Sequence, residues 1–182
     1  MTTMKTMTAK SMTAGALVAA GLALGCPSAF ADPGDYGSLP VDPNGVTDST
    51  AYVAAAPVLN PNGQPGVETV FTHRDGSRTI TDTILVLSDP AAATAALAGA
   101  TPAVVTSIPG GGSKPAPVGS GGTIITGASP DGKHSVTVVR FTEGGTATVI
   151  EFSGAAGDPV PSDLALDYAK KQDTALKDAG AV

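Results

Sequence analysis

The stretch Ser135–Ser153, SVTVVRFTEGGTATVIEFS, decides the fold, because apolar and polar residues alternate on both sides of the turn sequence Glu143-Gly144-Gly145. Alternation with a period of two predicts β-strands, so the stretch indicates a hairpin of strands 135–142 and 146–153. One face of that hairpin gathers four apolar side chains, Val139, Phe141, Ile150 and Phe152. A helix is expected to cover this patch.

The segment that follows the hairpin supplies such a helix. From Asp163 to Ala179, small and apolar residues recur at helical spacing, with Ser162 as the expected N-terminal cap and Gly180 at the C-terminal end. Asp173 precedes Lys177 by four residues on the outer face, an order that favours an ion pair along the helix.

A second hairpin followed by a helix lies earlier in the chain. Residues 67–73 and 78–87 read as strands joined by the turn Arg74-Asp75-Gly76-Ser77. Ser88-Asp89-Pro90 is typical of a helix start, and 91–98 reads as a short alanine-rich helix that ends near Gly99. Further strands are expected at 104–108 and 123–127.

These elements predict an α+β fold, an antiparallel β-sheet with two helices packed on one face, which is a two-layer sandwich. Residues 32–66 are rich in proline and glycine and are expected to form an irregular lead-in, with at most a short strand near Tyr52. The α+β domain then covers 67–182, and its stretch 109–122, PGGGSKPAPVGSGG, is expected to be a flexible surface loop.

The N-terminal residues 1–31 have the features of a signal peptide. Lys5 and Lys10 precede the apolar run 14–24, and Ala29-Phe30-Ala31 forms a small-residue cleavage site before Asp32. The apolar run is too short to span a bilayer. Cleavage between Ala31 and Asp32 would also remove it, so we expect a mature chain without a transmembrane segment. We therefore expect a protein that is secreted, either extracellular or in the cell envelope.

Cys26 leaves an alternative open. Ala23-Leu24-Gly25-Cys26 resembles a bacterial lipobox, in which the cysteine receives a lipid and becomes the first mature residue. Cleavage at Ala31 would instead remove the single cysteine of the chain, and disulfides and thiolate metal ligands would then be excluded.

The charge balance excludes one class of partner. Loss of Lys5 and Lys10 leaves 8 basic against 16 acidic residues, a formal charge of −8. A chain of this charge repels phosphate backbones, so no nucleic acid is expected to bind.

The two histidines offer a weak case for a metal. His73 and His134 each lie beside a turn, near Asp75 and Asp131 respectively. Two imidazoles, a carboxylate and water could hold zinc if the turns met in space, and the other interpretation is two solvated turn histidines. No motif predicts a cofactor.

The acidic residues and serines give no catalytic signature. Glu151 and Asp82 fall within predicted strands, and Arg140 could face Glu151 as a cross-strand ion pair. The Gly-x-Ser-x-Gly pattern of a nucleophile elbow is missing, so serine hydrolysis lacks a local signal.

Several short segments carry a family resemblance. Ser129-Pro130-Asp131-Gly132, the strand 136–141, the segment 158–161 (DPVP) and Lys171-Gln172-Asp173 follow an export signal that ends at Ala31. In these features the chain resembles small secreted proteins and lipoproteins of mycobacteria, many of which are similar to the PsbP-like α/β sandwich. The resemblance covers roughly 67–182 and implies a location and a fold, but no catalytic residues.

We therefore expect an exported, non-catalytic protein of the envelope or medium that binds a small apolar ligand or a protein partner. One alternative is a small secreted hydrolase whose catalytic residues are dispersed along the chain, and another is a lipoprotein anchored through Cys26. Pocket geometry separates the first two. An enzyme should bring His73 or His134 together with Ser or Asp in one cleft, whereas a binder should show a pocket without them.

Overall fold

The computed structural model describes residues 36–47 and 49–180. Within these residues the helices are α1 (Asn44–Thr47), α2 (Pro90–Ser107) and α3 (Ser162–Asp178), with short 3-10 turns at Tyr36–Ser38 and Pro61–Gly63. The strands are β1 (Tyr52–Ala54), β2 (Val58–Leu59), β3 (Gly66–His73), β4 (Thr79–Val86), β5 (Gly112–Pro115), β6 (Ser120–Ala128), β7 (His134–Glu143) and β8 (Thr146–Ala155).

The strands of the described residues form one sheet in the order β1-β3-β4-β8-β7-β6-β5, and β2 pairs with β3 on the same side as β1. Every pairing is antiparallel. The predicted hairpin is confirmed as β7 and β8, in which Val139 lies opposite Ile150 and Glu143 opposite Thr146. The predicted mixed α+β class is likewise confirmed.

α3 covers one face of the sheet, as the periodicity of its sequence predicts. Its buried residues include Tyr168, which packs edge-to-face on Phe152 with ring centroids 5.7 Å apart. The predicted apolar patch forms the centre of this core, because Val139, Phe141, Ile150 and Phe152 are all buried there. Gly180 ends the helix at φ 61°, and Lys177 Nζ lies 2.6 Å from Asp173 Oδ2, both as predicted.

α2 packs on the opposite face, so the expectation of two helices on one face is wrong. Val104 and Ile108 at the C-terminal end of α2 are buried against Ile125, Val136 and Val138. Those strand residues alternate with the ones that face α3. The sheet is thus covered on both sides, because β7 carries apolar side chains on both of its faces.

α2 is also longer than the predicted helix 91–98. Asp89 caps it as expected by accepting the Ala92 N–H at 2.8 Å, but the helix continues through Gly99 and absorbs the predicted strand 104–108. An interior proline such as Pro102 costs a helix about 3 kcal/mol. Burial of Val104 and Ile108 against the sheet offsets that cost.

Two segments that were expected to be irregular contribute strands. Within 109–122, Gly112–Pro115 forms the edge strand β5 against β6, so this stretch is not wholly a loop. Within 32–66, β1 at Tyr52–Ala54 is the short strand expected near Tyr52, and β2 at Val58–Leu59 is an additional strand; both pair with β3. Glycine and proline content suggested loops, whereas pairing with a neighbouring strand supplied the backbone hydrogen bonds that these segments lack locally.

Candidate functional site

His73 is held at the turn between β3 and β4 by two neighbours. Its Nδ1 lies 2.5 Å from Asp75 Oδ1, and its ring packs edge-to-face on Tyr52 at a centroid distance of 5.3 Å. Asp75 also accepts the Ser77 N–H at 2.8 Å. Hydrogen bonds from Ser77 and then His73 hold the pKa of Asp75 well below its usual range, so this carboxylate is ionised.

His134 lies at the start of β7 and is exposed. Its backbone N–H donates to Ser129 Oγ at 3.0 Å, and Ser129 Oγ in turn donates to Asp131 Oδ1 at 2.6 Å. Hydrogen bonds from the Ser129 hydroxyl and then from the Lys133 N–H lower the pKa of Asp131. The arrangement is that of a turn stabilised by its own side chains.

The fold does not bring the two histidines together. Both lie at the same end of the sheet, but β4 and β8 separate β3 from β7. Three strand spacings of about 4.8 Å place the two backbones roughly 14 Å apart, too far for both rings to bind one zinc ion. Among residues 36–47 and 49–180, no group of three His, Cys, Asp or Glu residues could hold a metal ion.

The expected ion pair between Arg140 and Glu151 is not formed. Arg140 lies opposite Val149 and donates to Thr123 Oγ1 at 3.0 Å and to Thr101 Oγ1. It therefore links the sheet to α2. Glu151 lies opposite Val138 instead, and burial raises its pKa.

One concave feature of the described residues is an open groove of about 450 Å³. Its floor comes from the paired strands β6 and β7, where Thr126 lies opposite Thr137. Its other wall is the loop from β8 to α3. We call this feature the hydroxyl groove, and its lining consists of Thr126, Gly127, Ser135, Val136, Thr137, Pro159, Val160, Pro161 and Ser162.

The loop wall of the groove is fixed by the sheet beneath it. Arg78 donates from Nη2 to Asp158 Oδ2 at 2.6 Å, which ties the loop to β4. Gly154 lets the loop pass close, since a Cβ at this position would lie 3.0 Å from the Asp158 carbonyl oxygen. Val160 then turns inward and is buried in the core under α3. The groove is therefore bounded by ordered backbone.

The lining of the hydroxyl groove is neutral. It carries four side-chain hydroxyls and several apolar groups, but no histidine, carboxylate or cation. Ser135 Oγ is buried and has no hydrogen-bond partner in the described part of the chain. An unpaired buried hydroxyl is costly, and the exposed hydroxyl-bearing residues of the lining are Thr126 and Ser162. The lining suits an uncharged ligand with both apolar and hydrogen-bonding groups.

A second, much smaller cavity lies beneath α1. Its volume is about 10 Å³, which is room for one water molecule at most, and Ile80, Phe152, Leu164 and Tyr168 are among its lining residues. It is too small to hold a ligand while α1 is in place.

The predicted cleavage site between Ala31 and Asp32 and the predicted lipidation site Cys26 lie outside the described residues. No helix among residues 36–47 and 49–180 is both long enough and apolar enough to cross a membrane.

Sequence reasoning did not find the groove residues, because isolated Thr and Ser residues carry no motif. Thr126 and Thr137 fall within the predicted strands 123–127 and 135–142, where threonine is an ordinary residue. One usable signal was the proline-rich segment 158–161 directly before a helix, since it indicates a fixed loop at the edge of the sheet.

The fold is similar to that of the extracellular domain of PknH from Mycobacterium tuberculosis. The TM-score is 0.55 at 10% sequence identity, and the likeness covers 81% of this chain and 97% of that domain. At this identity the likeness concerns the fold alone. It supports a fold found in a mycobacterial extracellular domain and does not support the PsbP-like family. No protein-family model and no curated protein matches the chain.

Proposed function

We propose that this chain is an exported, non-catalytic domain that binds a small uncharged ligand in the hydroxyl groove. The observation that carries the proposal is the lining of the groove, which offers hydroxyls and apolar surface without a titratable group. Binding sites for small molecules combine apolar walls with a few placed polar groups in this way.

Two observations support export. The first 31 residues have the pattern of a signal peptide, and the fold is similar to that of an extracellular domain. Cleavage after Ala31 gives a freely secreted protein, and this is the form that we propose over a lipoprotein anchored through Cys26.

The positions of the histidines support a non-catalytic role over a secreted hydrolase. His73 pairs with Asp75 at the β3–β4 turn, outside the hydroxyl groove. The groove contains Ser135 and Ser162, but its lining includes no general base that could activate them.

The experiment uses Nile red, an uncharged apolar dye, as the probe. Thr126 and Thr72 are both exposed threonines on strands. Thr126 on β6 lines the groove, whereas Thr72 lies on β3, near the opposite edge of the sheet. We expect Thr126→Trp to weaken Nile red binding by about tenfold or more, because the indole fills the groove. Thr72→Trp, the matched control, should leave binding unchanged.

The outcomes separate the alternatives. Equal binding by both variants, or an absence of saturable binding to the unmodified chain, would contradict the proposed site. Hydrolysis of ester substrates that is lost in His73→Ala would contradict the non-catalytic role and favour the hydrolase.

A further inference from the structure

Asp82 is a carboxylic acid buried in an apolar core. It lies on β4 between Ile80 and Ile84, is fully buried, and has Ile150 as its neighbour on β8. Its Oδ2 contacts the Tyr168 hydroxyl at 3.2 Å, whereas its Oδ1 has no hydrogen-bond partner among the described residues. Burial raises the pKa of Asp82 to about 7, although the Tyr168 hydroxyl opposes the rise.

Tyr168 also holds the segment that precedes β1. We call residues 36–47, which include α1, the N-terminal strap. The Tyr168 hydroxyl donates to the Val41 carbonyl oxygen at 2.7 Å. The side chain of Gln172 adds to the attachment, accepting the Val41 N–H at 2.7 Å and donating to the Leu39 carbonyl oxygen at 2.8 Å. Lys171 also donates to the Gly45 carbonyl oxygen, and the Asn44 side chain bonds the backbone of Tyr52.

The Tyr168 hydroxyl has two acceptors within reach but a single hydrogen to donate. When Asp82 is protonated, its own O–H can donate to the Tyr168 oxygen, and Tyr168 is free to donate to Val41. When Asp82 is ionised, the buried carboxylate needs a donor, and the Tyr168 hydroxyl already lies within hydrogen-bonding distance of it. The Val41 carbonyl then loses its bond.

We propose that Asp82 is a proton-binding site that controls docking of the N-terminal strap: the protonated acid lets Tyr168 hold the strap on α3, and the ionised acid takes that hydrogen bond away. This inference is independent of the hydroxyl groove. It assigns the strap two states, a docked one at low pH and a loosened one at higher pH.

Among the residues that the structure describes, the groups around Asp82 include no competing cation. Thr69 on β3 and Thr148 on β8 are buried on the same face, and neither hydroxyl has a partner in the described part of the chain. On α3, the carboxylate of Asp173 is paired with Lys177. The strap itself contributes Tyr36, whose buried hydroxyl is unpaired, and Asp42, which lies close enough to add to the effect of burial and Asp82 in raising the pKa of Tyr168.

Release of the strap has a structural consequence. Pro43, Val46 and Thr47 of the strap close the small cavity beneath α1. If the strap loosens, the apolar side chains of Ile80 and Phe152 at the base of that cavity become accessible. Deprotonation of Asp82 would therefore expose apolar surface that is hidden in the docked state.

Amide hydrogen exchange of the full exported chain tests this proposal. Exchange of the amides in 39–47 is measured at about pH 5.5 and about pH 8.5, and each rate is divided by the intrinsic rate at that pH so that base catalysis is removed. We expect the protection of the strap amides to fall by about five- to tenfold at the higher pH, because the strap loses one hydrogen bond. Protection of β7 and β8 should stay constant.

Three variants separate the proton site from general loosening. Asp82→Asn cannot ionise, and its amide can donate to Tyr168, so the strap should stay protected at both pH values. Tyr168→Phe lacks the hydroxyl and should give low protection at both. Asp75→Asn removes an exposed acid and should keep the wild-type response.

A pH-independent strap in the wild-type chain, or a wild-type pH response in Asp82→Asn, would overturn the proposal. If Asp82→Asn does not fold, carbon-13 NMR of the wild-type aspartate carboxyls gives the second readout. The midpoint of the most shifted carboxyl must then coincide with the midpoint of strap exchange, and two different midpoints would refute the coupling.

Discussion

Replacement of Asp82 by asparagine should change how the stability of the fold depends on pH. Burial raises the pKa of Asp82 from 3.8 to about 7, so the folded state binds this proton more tightly than the unfolded state does. The contribution of Asp82 to the unfolding free energy is therefore fully present below about pH 4, and it is lost as the pH rises towards 7. A difference of about three pKa units corresponds to roughly 4 kcal/mol of unfolding free energy.

Urea unfolding followed by far-ultraviolet circular dichroism measures this effect, since the chain has no tryptophan for fluorescence. The unfolding free energy of the wild type minus that of Asp82→Asn should fall by about 4 kcal/mol between pH 4 and pH 8. Asp75→Asn should show an effect of the opposite sign below about pH 4, because Ser77 and His73 lower the pKa of Asp75 from 3.8 and its contribution is lost as the pH falls. Parallel curves for the wild type and Asp82→Asn would refute the argument.

Two further predictions concern the cores on either side of the sheet. Phe152→Ala should cost about 3 to 5 kcal/mol of unfolding free energy, because the ring is buried against Tyr168, and a loss near zero would show that α3 does not cover it. Ile108→Ala should cost about 2 to 5 kcal/mol if α2 packs on the opposite face, while Val105→Ala, at an exposed position of the same helix, should change stability by less than about 0.5 kcal/mol. Equal effects at positions 108 and 105 would contradict the placement of α2.

The strands and α3 were predictable because their periodicity is clear. In β7 and β8 the alternation identifies Phe141 and Phe152 as partners in one core, and the spacing along α3 identifies its buried face. Local turn chemistry at Asp75-Gly76 and at Gly144-Gly145 fixed the hairpins, and it depends on neighbours in sequence alone.

α2 was predicted less well because its sequence has no distinct apolar face. Alanine dominates it, and Gly99 and Pro102 inside it are typical helix breakers. Its length and its side of the sheet depend on contacts with strands that follow later in the chain. One local signal was overlooked, namely that Val136 and Val138 on β7 are as apolar as the residues on the other face.

The candidate site also contains residues that the local sequence pattern predicts and residues that only the fold brings together. Asp82 could have been found from its strand, because alternation places it on the same face as Ile80 and Ile84, in a core that disfavours a charge. The hydroxyl groove could not have been found in this way. Thr126, Ser135 and Ser162 become neighbours through the pairing of β6 with β7 and the return of the loop before α3.

Native mass spectrometry of the chain recovered from the culture medium tests the proposed function most directly. We expect a polypeptide of residues 32–182 that carries a small uncharged molecule, released by gentle activation and missing from Thr126→Trp. A chain that retains Cys26 with a covalent lipid would contradict free secretion. A bound molecule retained equally by Thr126→Trp would contradict the hydroxyl groove as its site.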